Sequence, residues 1–411
     1  MDAFGTTSRR GLIQALGLLP ALDVASVSAA VQGGPLIPAG ELSLPPGLIH
    51  LNTASAGPTP NRVLARTIAA WRQLERDPVA QCYSDQPDTV FTAADDVRGK
   101  AAALLGCSAN EILFTRGTTD GITTLAHSVK LNAGDRILLS NLEHEGGEVG
   151  WLHREKMSGV VVDRIQLPFE EHDPQRIVDA YAAALTPKTK VISVSHVLAP
   201  TGLRMPVAEI ARIARSRGVL CVVDGAQAVG QISFDVRSIG CDAYATSGHK
   251  WLMGPKGTGF VYIAKNAAGA FDPPQWQLGR AVGSNSAGLA PLTIVVGLGE
   301  ALDATRALGI HRIEAYNRGL ANTVYTEMTK MPQLRIVSPT PGACSTAMVA
   351  AMLPPAIDAD RLRAALRTRH NVVIKRAERR WFNGIRLSPH VFNDEVQVAR
   401  ALAALRTELA G

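Results

Sequence analysis

The position with the most chemical potential is a lone lysine set among small residues, in Ser247-Gly248-His249-Lys250-Trp251. Apolar residues precede it as far as Ala245. After it, Leu252-Met253-Gly254-Pro255-Lys256-Gly257-Thr258-Gly259 makes a second glycine-rich turn into the apolar run Phe260-Val261-Tyr262-Ile263. A lysine pinned between two strand ends is desolvated, which lowers its pKa and leaves the amine nucleophilic. Schiff-base chemistry needs such an amine. Taken alone, the stretch is equally compatible with an ordinary lysine in a surface loop.

The second informative residue lies 26 positions upstream (250 − 224). Val219-Leu220-Cys221-Val222-Val223 is a continuous apolar run, the pattern of a strand covered on both faces. It ends in Asp224-Gly225-Ala226-Gln227. A carboxylate at the C-terminal end of a parallel strand sits where open α/β sheets bind ligands. An aspartate facing a pyridinium nitrogen is the partner expected for pyridoxal 5′-phosphate (PLP), whose ring serves as an electron sink. Helix capping is the alternative for Asp224, and Lys250 at this spacing favours the cofactor.

The elements that must position these residues follow from pattern. Ile112-Leu113-Phe114-Thr115, Arg136 to Ser140, Val160 to Ile165 and Lys190 to Ser195 read as strands, with helices at Gly150 to Lys156 and Gln175 to Leu185. Strands and helices alternate from 110 to 265, so an α/β fold with a mainly parallel sheet is expected. Arg116-Gly117-Thr118-Thr119-Asp120-Gly121 is a turn into a helix, whose backbone donors and hydroxyls make a ready anion site. Upstream, helices are read at Arg62 to Glu75 and Ala93 to Leu105. After helices over roughly Pro291 to Lys330, short strands (Leu334 to Val337, Ala347 to Leu353, Val372 to Ile374, Ile385 to Leu387) mix with helices at Asp360 to Thr368 and Glu395 to Leu409. This is the pattern of a small C-terminal α+β domain.

The motifs resemble those of PLP enzymes of aminotransferase class V, fold type I, over roughly residues 48 to 410. The carriers are Asp224-Gly225-Ala226-Gln227 and Ser247-Gly248-His249-Lys250, in that order. His249-Lys250-Trp251-Leu252 and Pro255-Lys256-Gly257-Thr258-Gly259-Phe260 look most like the isopenicillin N epimerase-like branch. The resemblance implies a large domain with a seven-stranded-type sheet covered by helices, plus the smaller domain. It implies that Lys250 forms the aldimine and acts as base at Cα, and that Asp224 keeps the ring nitrogen protonated. His144 would stack on the ring and move protons. Gly117, Thr118, Thr119, Ser247 and His249 would hold the phosphate, and Gln227 the ring oxygen. Arg386, in Gly384-Ile385-Arg386-Leu387-Ser388-Pro389-His390, would grip the substrate carboxylate, with Asn52 and Ser55 lining the substrate side; His390 and Asn393 are weaker candidates. Ser284, in Gly283-Ser284-Asn285-Ser286, would reach the phosphate of a neighbouring subunit, which implies a homodimer with shared sites.

Two departures bear on the chemistry. Ala199 stands where desulfurases carry an asparagine, and Asn371 to Gly384 contains no cysteine, whereas desulfuration needs a thiolate on a mobile loop there.

Composition restricts the remaining choices. With 46% hydrophobic and 19% charged residues in 411, the chain has the balance of a globular enzyme. A net charge of +6 with no long basic run gives no nucleic-acid groove, and the cluster Arg376, Arg379 and Arg380 reads as a solvated face. The five cysteines lack CxxC spacing, no metal set is read, and no disulfide framework is expected. No apolar stretch approaches the roughly 18 residues of a spanning helix. Ser8-Arg9-Arg10 before a weakly apolar stretch, Ala15 to Val27, resembles a twin-arginine export signal, although Asp23 interrupts it.

The expected plan is a signal at 1–30, a linker and arm at 31–60, a PLP-binding domain at 61–305 and a small domain at 306–411. The expected function is a PLP enzyme acting at Cα of an amino acid or amino-acid-containing metabolite. An epimerase- or aminotransferase-like activity is read first, in the periplasm on a secreted metabolite. A cytoplasmic C–S lyase and a non-catalytic PLP-binding protein are the alternatives. A dinucleotide-dependent dehydrogenase is disfavoured, because no Gly-x-Gly-x-x-Gly turn follows the early strands.

Overall fold

A computed structural model describes residues 34–272 and 291–410. The leader and the segment around Ser284 lie outside the described residues. Thirteen strands are described: β1 (Ile49–His50), β2 (Ile112–Thr115), β3 (Arg136–Ser140), β4 (Val161–Ile165), β5 (Thr189–Ser195), β6 (Leu220–Asp224), β7 (Ala243–Ser247), β8 (Gly259–Ile263), β9 (Arg335–Ile336), β10 (Val349–Met352), β11 (Val372–Val373), β12 (Lys375–Arg376) and β13 (Gly384–Leu387).

Seven of them form the main sheet in the order β2-β8-β7-β6-β5-β3-β4. All neighbours pair in parallel except β8, which runs antiparallel to both β2 and β7. The exception has a local cause. A parallel return requires a crossover of a dozen or more residues, usually a helix. Between β7 and β8 the chain has only the glycine-rich turns that carry Lys250, so β8 comes straight back beside β7. Every residue of β7 and β8 is buried, as the apolar runs require of strands covered on both faces. Val222 and Val223 of β6 are fully buried too, each contributing roughly 1.5–3 kcal/mol of hydrophobic stabilisation.

A second, antiparallel sheet in the order β12-β13-β10-β9 belongs to the C-terminal part. The helix Leu292–Leu308 packs its Val295, Val296 and Leu302 into the core of the main sheet. The next helix, Ile310–Met328, gives Ile313, Tyr316 and Leu320 to the second core. Gly309, at φ 80, makes the turn between them.

The segment expected to be a linker and arm is built into that second core. Ile37, Leu42, Ile49 and Leu51 are buried there, and β1 pairs in parallel with β11. The Gly and Pro content that reads as a linker instead shapes a strap anchored by these four buried residues. Short elements with too few residues to show a period escape sequence reading, as with the helices Pro78–Tyr83 and Val236–Ile239 and the strand β12.

Candidate active site

The C-terminal ends of β2, β5, β6 and β7 meet at one edge of the main sheet, where a cavity of about 310 Å³ opens toward β12 and β13. Its walls include Lys250, Asp224, His144, Thr118, Thr119, Gln227, Ser247, His249, Ser55 and Arg386. Residues spread over more than 330 positions are therefore brought to one space by the sheet and the returning C-terminal strands.

The turn carrying Lys250 is held by its own backbone. Gly248 N–H donates to Thr258 O at 2.8 Å, Met253 N–H to Lys250 O at 3.1 Å, and Gly57 N–H to His249 O at 2.9 Å. Gly57 is there for space, since a Cβ on it would lie 2.3 Å from Lys250 O. Burial pushes the Lys250 ammonium down to about 8, against the opposing attraction of Asp224 and with added repulsion from Arg386 and Lys375. The Asp224 carboxylate is buried, accepts a hydrogen bond from Ala226 N–H at 2.8 Å, and is raised above the usual carboxylate range by that burial. Gly147 lets the helix Glu145–Ser158 come close to it, because a Cβ there would stand 2.8 Å from Asp224 Oδ2.

At the start of the helix Thr118–Ser128, Thr118 N–H donates to Ser247 Oγ at 2.9 Å and the two hydroxyls lie 2.8 Å apart. Gly117 precedes them at φ 153 and backs Ser247 without lining the cavity. Beside them His249 has a buried Nδ1 with no hydrogen-bond partner among the described residues, and burial lowers its pKa to about 4. His144 caps its helix, with Nδ1 accepting from Gly146 N–H at 3.0 Å. Its Nε2 faces Glu378 Oε1 at 3.3 Å. Burial and the surrounding cations, Lys250 first among them, push its pKa to about 3, so the imidazole is neutral with its proton on Nε2. Beneath it Glu143 is buried, accepts from the hydroxyls of Ser140 and Ser195, and is raised by burial to about 7.

Gln227 uses both ends of its amide: Nε2–H donates to Ala54 O and Oε1 accepts from Trp251 Nε1–H, each at 2.9 Å. The second N–H of the amide has no hydrogen-bond partner among the described residues, and Gln227 lines the cavity. Arg386 is buried, donates from Nη1 to Ala199 O at 2.7 Å, and leaves Nε without a hydrogen-bond partner among the described residues. Burial lowers its pKa to about 10.

Three expectations need correction. Asn52 does not reach the cavity; its Oδ1 accepts from Ser55 Oγ at 2.8 Å and so holds the residue that does. His390 lies behind the wall, bonding Trp251 O through Nε2 at 2.8 Å, with Asn393 accepting from its backbone N–H at 3.0 Å. The arginine cluster at 376–380 is not simply a solvated face. Arg376 lines the cavity and pairs with Asp360 at 3.0 Å. Arg380 donates to Glu143 O at 2.6 Å, pairs with Glu148 and Glu378 at 3.0 Å each, and lies over Trp381. This wall, with Lys375, Glu378 and Trp381, was missed in sequence. Its only signal was the density of charged and aromatic residues just before the strand of Arg386.

The family model for aminotransferase class-V matches residues 49–379. The chain is 32% identical over 388 residues to an isopenicillin N epimerase of Amycolatopsis lactamdurans, covering 89% of this chain and 96% of that protein. It is 30% identical over 386 residues to the isopenicillin N epimerase of Streptomyces clavuligerus, with the same coverage. A probable cysteine desulfurase of Methanothermobacter thermautotrophicus is 29% identical over 69% of this chain and 73% of its own. Among solved structures, the apo cysteine desulfurase of Thermococcus onnurineus NA1 superposes with a TM-score of 0.79 at 20% identity, covering 90% of this chain and 97% of that one. The fold, with its mainly parallel sheet and C-terminal small sheet, is shared with that structure.

Proposed function

The chain belongs to the aminotransferase class-V family, and on that premise we propose that it acts at Cα of an amino acid or amino-acid-containing metabolite, epimerase-like, outside the cytoplasm. It is an enzyme of that family, and its cofactor is pyridoxal 5′-phosphate. The residues present fit that group. The hydroxyls of Thr118, Thr119 and Ser247 at the start of a helix, with the unbonded Nδ1 of His249, suit a phosphate. The buried Asp224 carboxylate suits a ring nitrogen that carries a proton. Once bound, the cofactor supplies an electron sink for charge developing at Cα.

The reading is carried by one observation: Lys250, Asp224 and Arg386, whose Nε has no hydrogen-bond partner among the described residues, line the same cavity. Lys250 is the general base at Cα, since its lowered pKa leaves about a tenth of it unprotonated at pH 7, roughly 300 times the share of an ordinary lysine. Asp224 holds the proton on the ring nitrogen. Arg386 binds the substrate carboxylate through its free edge, where a planar fork suits a planar anion. Ser55 and the spare N–H of Gln227 orient groups around it. His144, neutral and with its one N–H tied to Glu378, contributes a flat face.

The epimerase reading is supported by the two relatives with that name, each covering most of both chains. Desulfuration is disfavoured because none of the five cysteines lines the cavity. A homodimer is supported by an exposed apolar stripe, Leu64, Ile68 and Trp71, on the helix Asn61–Leu74, continued by Val79 and Tyr83. A second copy of the chain is the occupant we assign to it. Export rests on the Ser8-Arg9-Arg10 leader, and periplasmic tailoring of a secreted metabolite follows from it. Among the described residues no helix is long and apolar enough to cross a membrane.

The test is incubation of the purified protein with enantiopure amino acids and amino-acid-containing peptides in D2O. Deuterium at Cα together with loss of optical purity is expected. Release of a keto acid would move the assignment to transamination, and release of sulfide or a thiol to C–S cleavage. No exchange with any amine, beside a cofactor spectrum that never changes, would make this a non-catalytic binder. Fusing residues 1–33 to a reporter tests export, which replacement of both Arg9 and Arg10 by lysine should abolish.

A further inference from the structure

Lys375 of β12 and Arg386 of β13 stand directly opposite each other in an antiparallel pair. Their side chains therefore share a face, with Cβ atoms roughly 4.5–5.5 Å apart. Both line the cavity. Like charges in this arrangement repel and destabilise the sheet, so the pair needs an anion. The wall offers Glu378, whose charge acts on both, but its one carboxylate also faces His144 Nε2 at 3.3 Å and takes Arg380 Nε at 3.0 Å, so it is shared among several partners and pairs directly with neither. Neither Lys375 nor Arg386 forms an ion pair within 4 Å among the described residues, and Lys375, half-buried, has no hydrogen-bond partner there. The anion site at Thr118 and Ser247 is on the edge of the main sheet, so an anion bound there leaves the small-sheet pair unanswered.

We propose that the substrate carries a second anionic group a few carbons from its α-carboxylate, which Lys375 binds while Arg386 holds the carboxylate. The substrate class is that of dicarboxylic amino acids and their derivatives. The inference rests on the functional reading above and narrows it. Burial lowers the pKa of Lys375, Arg386 adds to the effect and Glu378 opposes it; the charge of an incoming anion would oppose it further.

The experiment is calorimetric titration of the holoenzyme with glutarate and with pentanoate, which differ by one carboxylate and cannot react as amines. Glutarate should bind roughly tenfold or more tightly than pentanoate, the worth of one charged hydrogen bond. Lys375→Met should erase the difference while leaving pentanoate unchanged, and Lys375→Arg should keep it. Equal affinities in the natural protein would overturn the proposal. So would an equal loss for both ligands in Lys375→Met, which would mean that Lys375 shares the common carboxylate. The cofactor absorption of the same samples is recorded throughout. It reports that the variants fold, and its absence from the natural protein would defeat the functional reading while the glutarate preference could still be measured.

Discussion

Lys250 should react with a small aldehyde as though its pKa were about 8, not the ordinary 10.5. The perturbation is pH, applied to cofactor-free protein. With a pKa of 10.5 about 0.03% of the amine is free at pH 7, whereas with a pKa of about 8 the free fraction is about 9%, roughly a 300-fold difference. The assay is reductive methylation with formaldehyde between pH 6 and 10.5, followed by mass spectrometry of the peptide containing Lys250. Labelling at each pH is corrected for the reagent's own pH dependence, measured with a soluble amine of known pKa and expressed per unprotonated amine. The curve for Lys250 should level off just above pH 8. His144 and His249, held at about 3 and about 4, stay neutral across the window and cannot produce the inflection. The signs of two variants follow from the charges. Asp224→Asn removes an attraction that favours the ammonium, so the plateau should move to lower pH. Arg386→Met removes a repulsion, so it should move to higher pH. Reactivity that keeps climbing to pH 10, or an upward shift in Asp224→Asn, would refute the argument that burial sets this pKa with Asp224 opposing it.

Two further predictions concern the frame around the site. Gly225→Ala would put a Cβ 1.9 Å from Tyr244 Cε1, a ring that is fully buried and bonded through its hydroxyl to His196 at 2.9 Å. A loss of about 1–3 kcal/mol or more is expected from such overpacking, read as a lower melting temperature; an unchanged melt would mean that the ring moves freely. Trp251→Phe removes the donor to Gln227 Oε1 and leaves a buried acceptor unpaired, at a cost of about 1–3 kcal/mol. Urea unfolding measures it, and a difference near zero would show that the amide finds another partner.

The strands of the main sheet were legible because most are short runs dominated by apolar residues, β-branched in the clearest cases, as in Val219 to Asp224 with its small-residue turn. The reacting residues were legible for a related reason: Lys250 and Asp224 are fixed by the turns they sit in, and those turns are local sequence. Boundaries of the helices at Arg62 to Glu75, Gln175 to Leu185 and Glu395 to Leu409 came within a residue, since an amphipathic period needs only one face to be buried, whereas the helix Glu145–Ser158 begins five residues before Gly150 and Val207–Ser216 was not read. The antiparallel direction of β8 was not read, although the shortness of the chain between Ser247 and Gly259 contained it.

What sequence alone determined, then, was the kind of chemistry and the succession of elements, because both depend on residues close together in the chain. Tertiary structure decided what the substrate meets. Lys375 and Glu378 become a cavity wall only because β12, two residues long and without a period of its own, takes its register from β13. Asn52 turns from a lining residue into the support of Ser55 because its side chain is used within its own turn. The strap from Ile37 to Leu51 is held against the second core by pairing with β11, more than 300 residues away. Such long-range partners satisfy backbone and charged groups that no neighbour in the chain can reach, and that is why their roles were not written in local pattern.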